Sequence, residues 1–146
     1  MDFQTLHRNF GSLISELNEL VLKSAMELKS NMADLNVKQL EKGIGTDYKK
    51  LEPSYQSLEY AKAKKSIGSI APLMTPDLKL TGSFHSGIEA TKKGEAILMW
   101  STDEKTPKLD KKYPKSLGLN KSSKTEMKPE LLEKLLKNSR TILHKE

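Results

Sequence analysis

Apolar residues recur at spacings of three and four through the first part of the chain. They are Leu6, Phe10, Leu13, Leu17, Leu20, Leu28, Met32 and Leu35, with Val21 and Ala25 flanking the one polar interruption at Ser24. That period places them on a single stripe of an amphipathic helix, with Glu16, Glu19, Glu27 and Lys29 off it. Gly11-Ser12 reads as the start of the main helix, with Ser12 as its N-cap, so a long helix is expected over about 12–35. From Ser12 to Met32 it would reach roughly 30 Å. The stripe is expected to pack into the core; the face of a neighbouring subunit is the other surface it suits.

The pattern then shortens. Asn36 is placed to cap a short helix over Val37–Glu41, and Gly43 and Gly45 to stop it, since glycine tolerates the left-handed conformations that end helices. Pro53-Ser54 opens a further helix through Tyr55, Leu58, Tyr60 and Lys62–Lys65 that ends near Gly68. Pro72 and Pro76 mark the stretch between them as extended or turning.

Residues 77–101 carry the strand signals and are expected to form the hairpin region. Asp77-Leu78-Lys79-Leu80 alternates polar and apolar, and Thr81-Gly82-Ser83-Phe84 can cap one short helical turn. Ile88–Thr91 and Glu95–Ser101 flank Lys92-Lys93-Gly94, a compact turn with glycine available for positive φ. Ala96–Trp100 is the most apolar run and is expected to be a central strand, with Leu80, Phe84, Ile88, Ile97 and Met99 buried. Residues 103–125 are polar and read as irregular, anchored by Tyr113, Leu117 and Leu119. A last helix is expected over about 129–143. Pro129 would sit at its first turn, Arg140 and His144 near its end, and Leu131, Leu132, Leu135, Leu136, Ser139, Ile142 and Leu143 along its buried stripe. The predicted fold class is α+β in a single domain over 1–146: a long N-terminal helix, a small antiparallel β-hairpin sheet and a C-terminal helix.

Composition narrows the function classes. With no cysteine in the 146 residues, disulfides, thiolate metal sites and cysteine nucleophiles are excluded. No apolar run approaches the roughly 20 residues of a membrane span, and Met1-Asp2-Phe3-Gln4 does not open like a signal peptide, so a soluble protein made in a cytoplasm is expected. The net charge of +6 is unevenly spread: residues 1–60 carry seven Lys/Arg against nine Asp/Glu, and residues 61–146 carry eighteen against ten. A basic second half fits a lysine-rich solvated face, an acidic protein partner or nucleic acid. Against nucleic acid stands the scarcity of arginine, since Arg140 is the only one there and arginine makes the strongest bidentate phosphate contacts.

Candidate chemistry is sparse. His7, His85 and His144 are scattered, with no metal-ligand spacing among them. His85 lies beside Ser83 and Ser86, but neither serine sits in a nucleophile elbow, and triads assemble across a fold rather than from neighbours. Asp103-Glu104 and Asp110 read as a polar loop, and Gly43–Asp47 lacks the spacing and Lys-Ser/Thr of a phosphate loop. Trp100 reads as a core or interface anchor, and Tyr55 and Tyr60 as one buried face with a lysine rim. No catalytic, metal or cofactor residues are assigned, and a non-enzymatic protein is expected.

From about residue 40 the order and spacing of several blocks match a known group. Gln39–Ile44 followed by Tyr60-Ala61-Lys62-Ala63-Lys64 resembles a glycine turn preceding a Tyr-Ala-x-x-Lys helix. Asp77-Leu78-Lys79-Leu80-Thr81-Gly82-Ser83-Phe84 with Ile88 resembles an Asp-Leu-x-Leu-Thr-Gly motif. Lys105–Leu109, Lys112-Tyr113 and Leu117-Gly118-Leu119-Asn120 resemble the block before the C-terminal helix. Together these are similar to the neck, tail-completion and virion-morphogenesis proteins of tailed bacteriophages. Many members carry a second Tyr-Ala with an acidic residue and glycine after the hairpin, which this chain lacks. The resemblance implies a head–tail joining or tail-completion ring subunit found in the virion, and in the host cytoplasm during assembly. Its implied partners are other copies of itself and phage neck, portal or tail proteins. Non-specific contact with DNA in the ring bore is also implied, and no membrane. A basic nucleic-acid-binding accessory protein is the alternative. The motif positions are Tyr60, Lys64, Asp77, Leu78, Leu80, Thr81, Gly82, Phe84, Ile88, Tyr113, Leu117, Gly118 and Leu119.

Overall fold

The computed structural model describes residues 2–143. His144 lies outside them, as does the side chain of Leu143. The N-terminal helix is real but its limits differ from expectation. Helix α1 spans Phe3–Met26 and α2 spans Lys29–Glu41. Ser12 is not the cap; Asp2 is, its carboxylate accepting the Thr5 amide at 2.7 Å, and Gly11 is carried inside the helix. The break falls at Glu27-Leu28, where the Leu28 amide donates back to the Ala25 carbonyl and the Leu28 side chain turns into the core. Asn36 therefore lies in the middle of a helix, not at its start. Gly43 does stop α2, at φ +71. A Cβ there would lie 2.4 Å from Thr75 Cγ2, so glycine is needed for close packing as well as for the backbone.

Helix α3 spans Leu58–Ser66 and is capped by Ser57, whose hydroxyl accepts the Tyr60 amide at 3.2 Å; Pro53 precedes it in a loop. Residues 77–80 are not a strand. Asp77 is buried, Leu78 has φ +56, and the segment turns outward so that Leu80 is 70% exposed, against the expectation of a core residue. One helical turn, α4, follows at Ser83–Ser86, with Thr81 Oγ1 accepting the Ser83 amide at 3.4 Å.

The hairpin consists of β1 (Ile88–Lys93) and β2 (Ala96–Ser101), antiparallel, with Ile88 opposite Ser101 and Ala90 opposite Met99. Gly94 at φ +61 and Glu95 close the loop. Alternation decides which side faces inward: Ile88, Ala90, Met99 and Ser101 are buried, whereas Glu89, Thr91, Leu98 and Trp100 face out. With two strands in the sheet there is no central strand, so the apolar run 96–100 is exposed on one face and Ile97 is only half-buried. Residues 103–125 are more ordered than expected. Helix α5 spans Thr106–Lys112, and α6 spans Lys121–Leu143, with Pro129 inside it.

The core joins Met32 and Leu40 of α2 to Ile88, Ala90 and Met99 of the hairpin, with Phe84, Leu51 and Tyr113 closing it. Helix α6 runs antiparallel to α1 and α2. Asn138 Nδ2 donates to Ser24 Oγ at 2.9 Å, and Asn31 donates to Glu130 at 2.5 Å. Its inner stripe, Leu131 and Leu135 with Ser139, is half-buried, while Leu132, Leu136 and Ile142 are exposed. Among the described residues, helix α1 joins the body only at its C-terminal end. Ser24 and Ala25 are buried, but Leu6, Phe10, Leu13 and Leu17 are exposed, so the expected core packing fails over most of its length.

Candidate functional site

Two motif positions thirteen residues apart in sequence meet at a buried ion pair. Lys64, on the last turns of α3, reaches Asp77 Oδ1 at 2.8 Å, and the two side chains are 6% and 5% exposed. The Lys64 ammonium also donates to the Lys79 carbonyl, and Asp77 Oδ1 accepts the Lys79 amide at 3.0 Å. Burial pushes the Asp77 carboxyl up. Hydrogen bonds from Lys64, the Lys79 amide and Ser69 outweigh it, and the carboxyl sits below the ordinary carboxylate value. These bonds fix the turn at Leu78, which would otherwise resist a positive φ.

In front of this pair lies a cleft of about 500 Å³. Tyr60 and Lys64 of α3 form one wall, Leu78 to Gly82 the lip, Phe84 and Tyr113 the floor, and Leu109 of α5 the far wall. Tyr55 meets Tyr60 edge-on at 4.9 Å between ring centres, and its hydroxyl is pushed up to about 12 by burial and by the nearby Asp77 charge. Lysines 79, 105, 108 and 112 stand around the opening, with Asp103 the single acidic residue lining it among the described residues. Ser83 donates to Asp103, whose other oxygen accepts the Lys105 amide at 2.7 Å, so this carboxylate is held below its ordinary value as part of the turn that starts α5. The cleft thus has an apolar floor and a cationic lip.

The structure gathers most of the motif positions here: Tyr60, Lys64, Leu78, Leu80, Thr81, Gly82, Phe84 and Tyr113 line the cleft. Asp77 lies behind the wall, and Ile88 is in the core beneath α2. Leu117, Gly118 and Leu119 are elsewhere, in the loop just before α6, where polar residues of α2 hold the backbone. Asn36 Nδ2 donates to Ser116 O and its Oδ1 accepts the Gly118 amide, both at 2.9 Å. Gln39 does the same to Gly118 O and the Asn120 amide, also at 2.9 Å. Asn120 then caps α6 by accepting the Ser123 amide.

Sequence reasoning missed this clamp, and it read Lys105–Leu109 and Lys112 as a motif block without seeing that they form the helix α5. Thr106-Pro107 at the start of α5 was the available signal, since proline favours a first helical turn. Asn36 and Gln39 gave none, because buried amides on a helix look like any polar position. His85 is buried, with Nε2 donating to Asp77 O at 2.7 Å and Nδ1 without a hydrogen-bond partner. It is not among the cleft-lining residues, and burial lowers its pKa. Trp100, half-way exposed on the outer hairpin face, anchors no core. Among the described residues no cluster of acidic and histidine side chains is arranged to hold a metal, and no helix is long and apolar enough to cross a membrane.

Among the described residues, six helices and one antiparallel hairpin make an α+β fold. No protein-family model, curated protein or solved structure matches the chain.

Proposed function

We propose that the protein is a non-enzymatic structural subunit of a tailed-bacteriophage particle, acting in a ring at the head–tail joint or in tail completion. The observation that supports this most is the Lys64–Asp77 pair. The Tyr-Ala-x-x-Lys block and the Asp-Leu-x-Leu-Thr-Gly block resemble the phage group separately, and a chance match of short motifs gives no reason for the lysine of one to neutralise the aspartate of the other. The same two blocks then share one cleft with Tyr113 from the third. Exposed apolar surface on α1, at Leu80 and on the outer face of α6 suits a subunit that assembles.

The test is the particle. The protein should be found in purified virions in a small symmetric copy number, and deleting its gene should leave DNA-filled heads and separate tails, or heads that leak DNA. Normal infectious particles after a clean deletion, or absence of the protein from virions, rejects the reading. The lysines at the cleft give the nucleic-acid alternative its one specific support. Strongly salt-dependent DNA binding by the isolated chain, combined with absence from particles, would favour it.

A further inference from the structure

Residues 3–19 of α1 form a projecting arm that the other described residues do not cover. The helix runs unbroken from Phe3 to Met26, and only its last turns pack on the body. The arm reaches out by about 25 Å at 1.5 Å per residue. Phe3, Leu6, Phe10, Leu13 and Leu17 lie along one side of it and are all exposed, Phe3 at 82%. A helix of this length without tertiary packing is marginal in water. A contiguous apolar stripe of this kind marks a docking surface.

We infer that the arm of one copy docks into the cleft of the next copy, apolar stripe inward. Charge selects this occupant. At about 100° per residue, Asp2 and Glu16 fall on the edge of the stripe, whereas Arg8 lies on the opposite face. Two arms laid stripe to stripe offer that edge Lys23 at the base of the arm, whereas the cleft offers several lysines. The cleft brings Lys105, Lys108 and Lys112 around an apolar interior, with Leu80 standing exposed at the lip. The acidic first part of the chain thereby meets the basic second part of its neighbour. The arm does not reach its own cleft by folding back, because α1 is continuous into the buried Ser24 and Ala25. A contact between two different surfaces of identical chains is head-to-tail, and such contacts close into rings when the rotation allows. The inference deepens the ring reading and names its lateral contact. A volume of about 500 Å³ is that of a small-molecule site, so it admits the side chains of a turn or two of the arm rather than its full length.

The chain has no cysteine, which makes disulfide trapping clean. Full-length single variants Phe10→Cys, Leu13→Cys and Leu17→Cys are each mixed with Leu80→Cys under mild oxidation. Cross-linked dimers are expected in at least one mixture and in none of the single variants alone, with yield falling from 0.1 M to 1 M salt as the screening length drops from about 10 Å to 3 Å. Self-linking of the arm variants means arms pair with each other and overturns the proposal; so does failure of all three mixtures. A Leu13→Glu/Leu17→Glu protein should melt like the wild type, because neither side chain packs on the body, yet associate at least about tenfold more weakly by sedimentation. Unchanged association overturns the proposal as well. Failure here with the protein still present in particles removes the arm contact and leaves the ring reading standing; absence from particles removes the ring reading, whatever the cross-links show.

Discussion

Replacing Lys64 by methionine tests whether the buried ion pair organises the cleft. The substitution keeps most of the volume of the side chain and removes its charge. It leaves the Asp77 carboxylate, 5% exposed, with the Lys79 amide and Ser69 but no cation. Removing one partner of a buried pair costs about 3–5 kcal/mol, since the remaining charge is desolvated without compensation. Against a typical domain stability of about 5–15 kcal/mol, that is a large share. Asp77→Asn should cost a comparable amount by stranding the Lys64 ammonium. The double variant should cost clearly less than the two singles added, because it leaves neither charge buried and the asparagine oxygen still accepts the Lys79 amide. Urea unfolding at constant m-value is the assay. The pH dependence gives a second reading. The Asp77 carboxyl sits below its unfolded value of about 3.9, so its contribution is present above that pH and is lost as pH falls through the lowered folded value. Without Lys64 the carboxyl rises, and acid destabilisation should begin at a higher pH. A Lys64→Met protein within about 0.5 kcal/mol of wild type, with an unshifted acid limb, would refute the reasoning.

Three further outcomes are expected. Phe84→Ala should cost about 3–5 kcal/mol by thermal or urea unfolding, while Leu80→Ala, at a 70% exposed position, should change stability by less than about 0.5 kcal/mol. Gly43→Ala should destabilise by more than the roughly 1–2 kcal/mol of a left-handed backbone alone, since the new methyl also meets Thr75; a neutral result would mean the 43–76 contact is loose. His85 is buried and its pKa lowered by desolvation, so the unfolded chain takes up a proton that the folded ring resists, and the melting temperature should fall as pH drops below about 6.5. In His85→Gln that slope should flatten, and an unaltered slope would assign it to other groups.

The chain's own order of residues already determined the element types. The three-and-four spacing dictates a helix from Leu6 onward, period-two alternation across Gly94 dictates a hairpin, and Gly43 dictates a stop, because these are local consequences of backbone geometry. The motif blocks were legible too, though not what they do. Only the tertiary structure decided which stripes are covered. Leu13 and Leu40 look alike in sequence, yet one lies on a projecting arm and the other is fully buried, since burial depends on where the next element docks. It also decided the sense of Lys64 and Asp77, which read as ordinary surface charges until the turn at Leu78 brings them together. The start of α6 was invisible for the same reason: residues 121–128 carry only Met127 as an apolar signal, and the backbone that leads into them, at Ser116, Gly118 and Asn120, is held by Asn36 and Gln39 from a helix some eighty residues earlier. A contact made across such a distance leaves no period in the sequence to read.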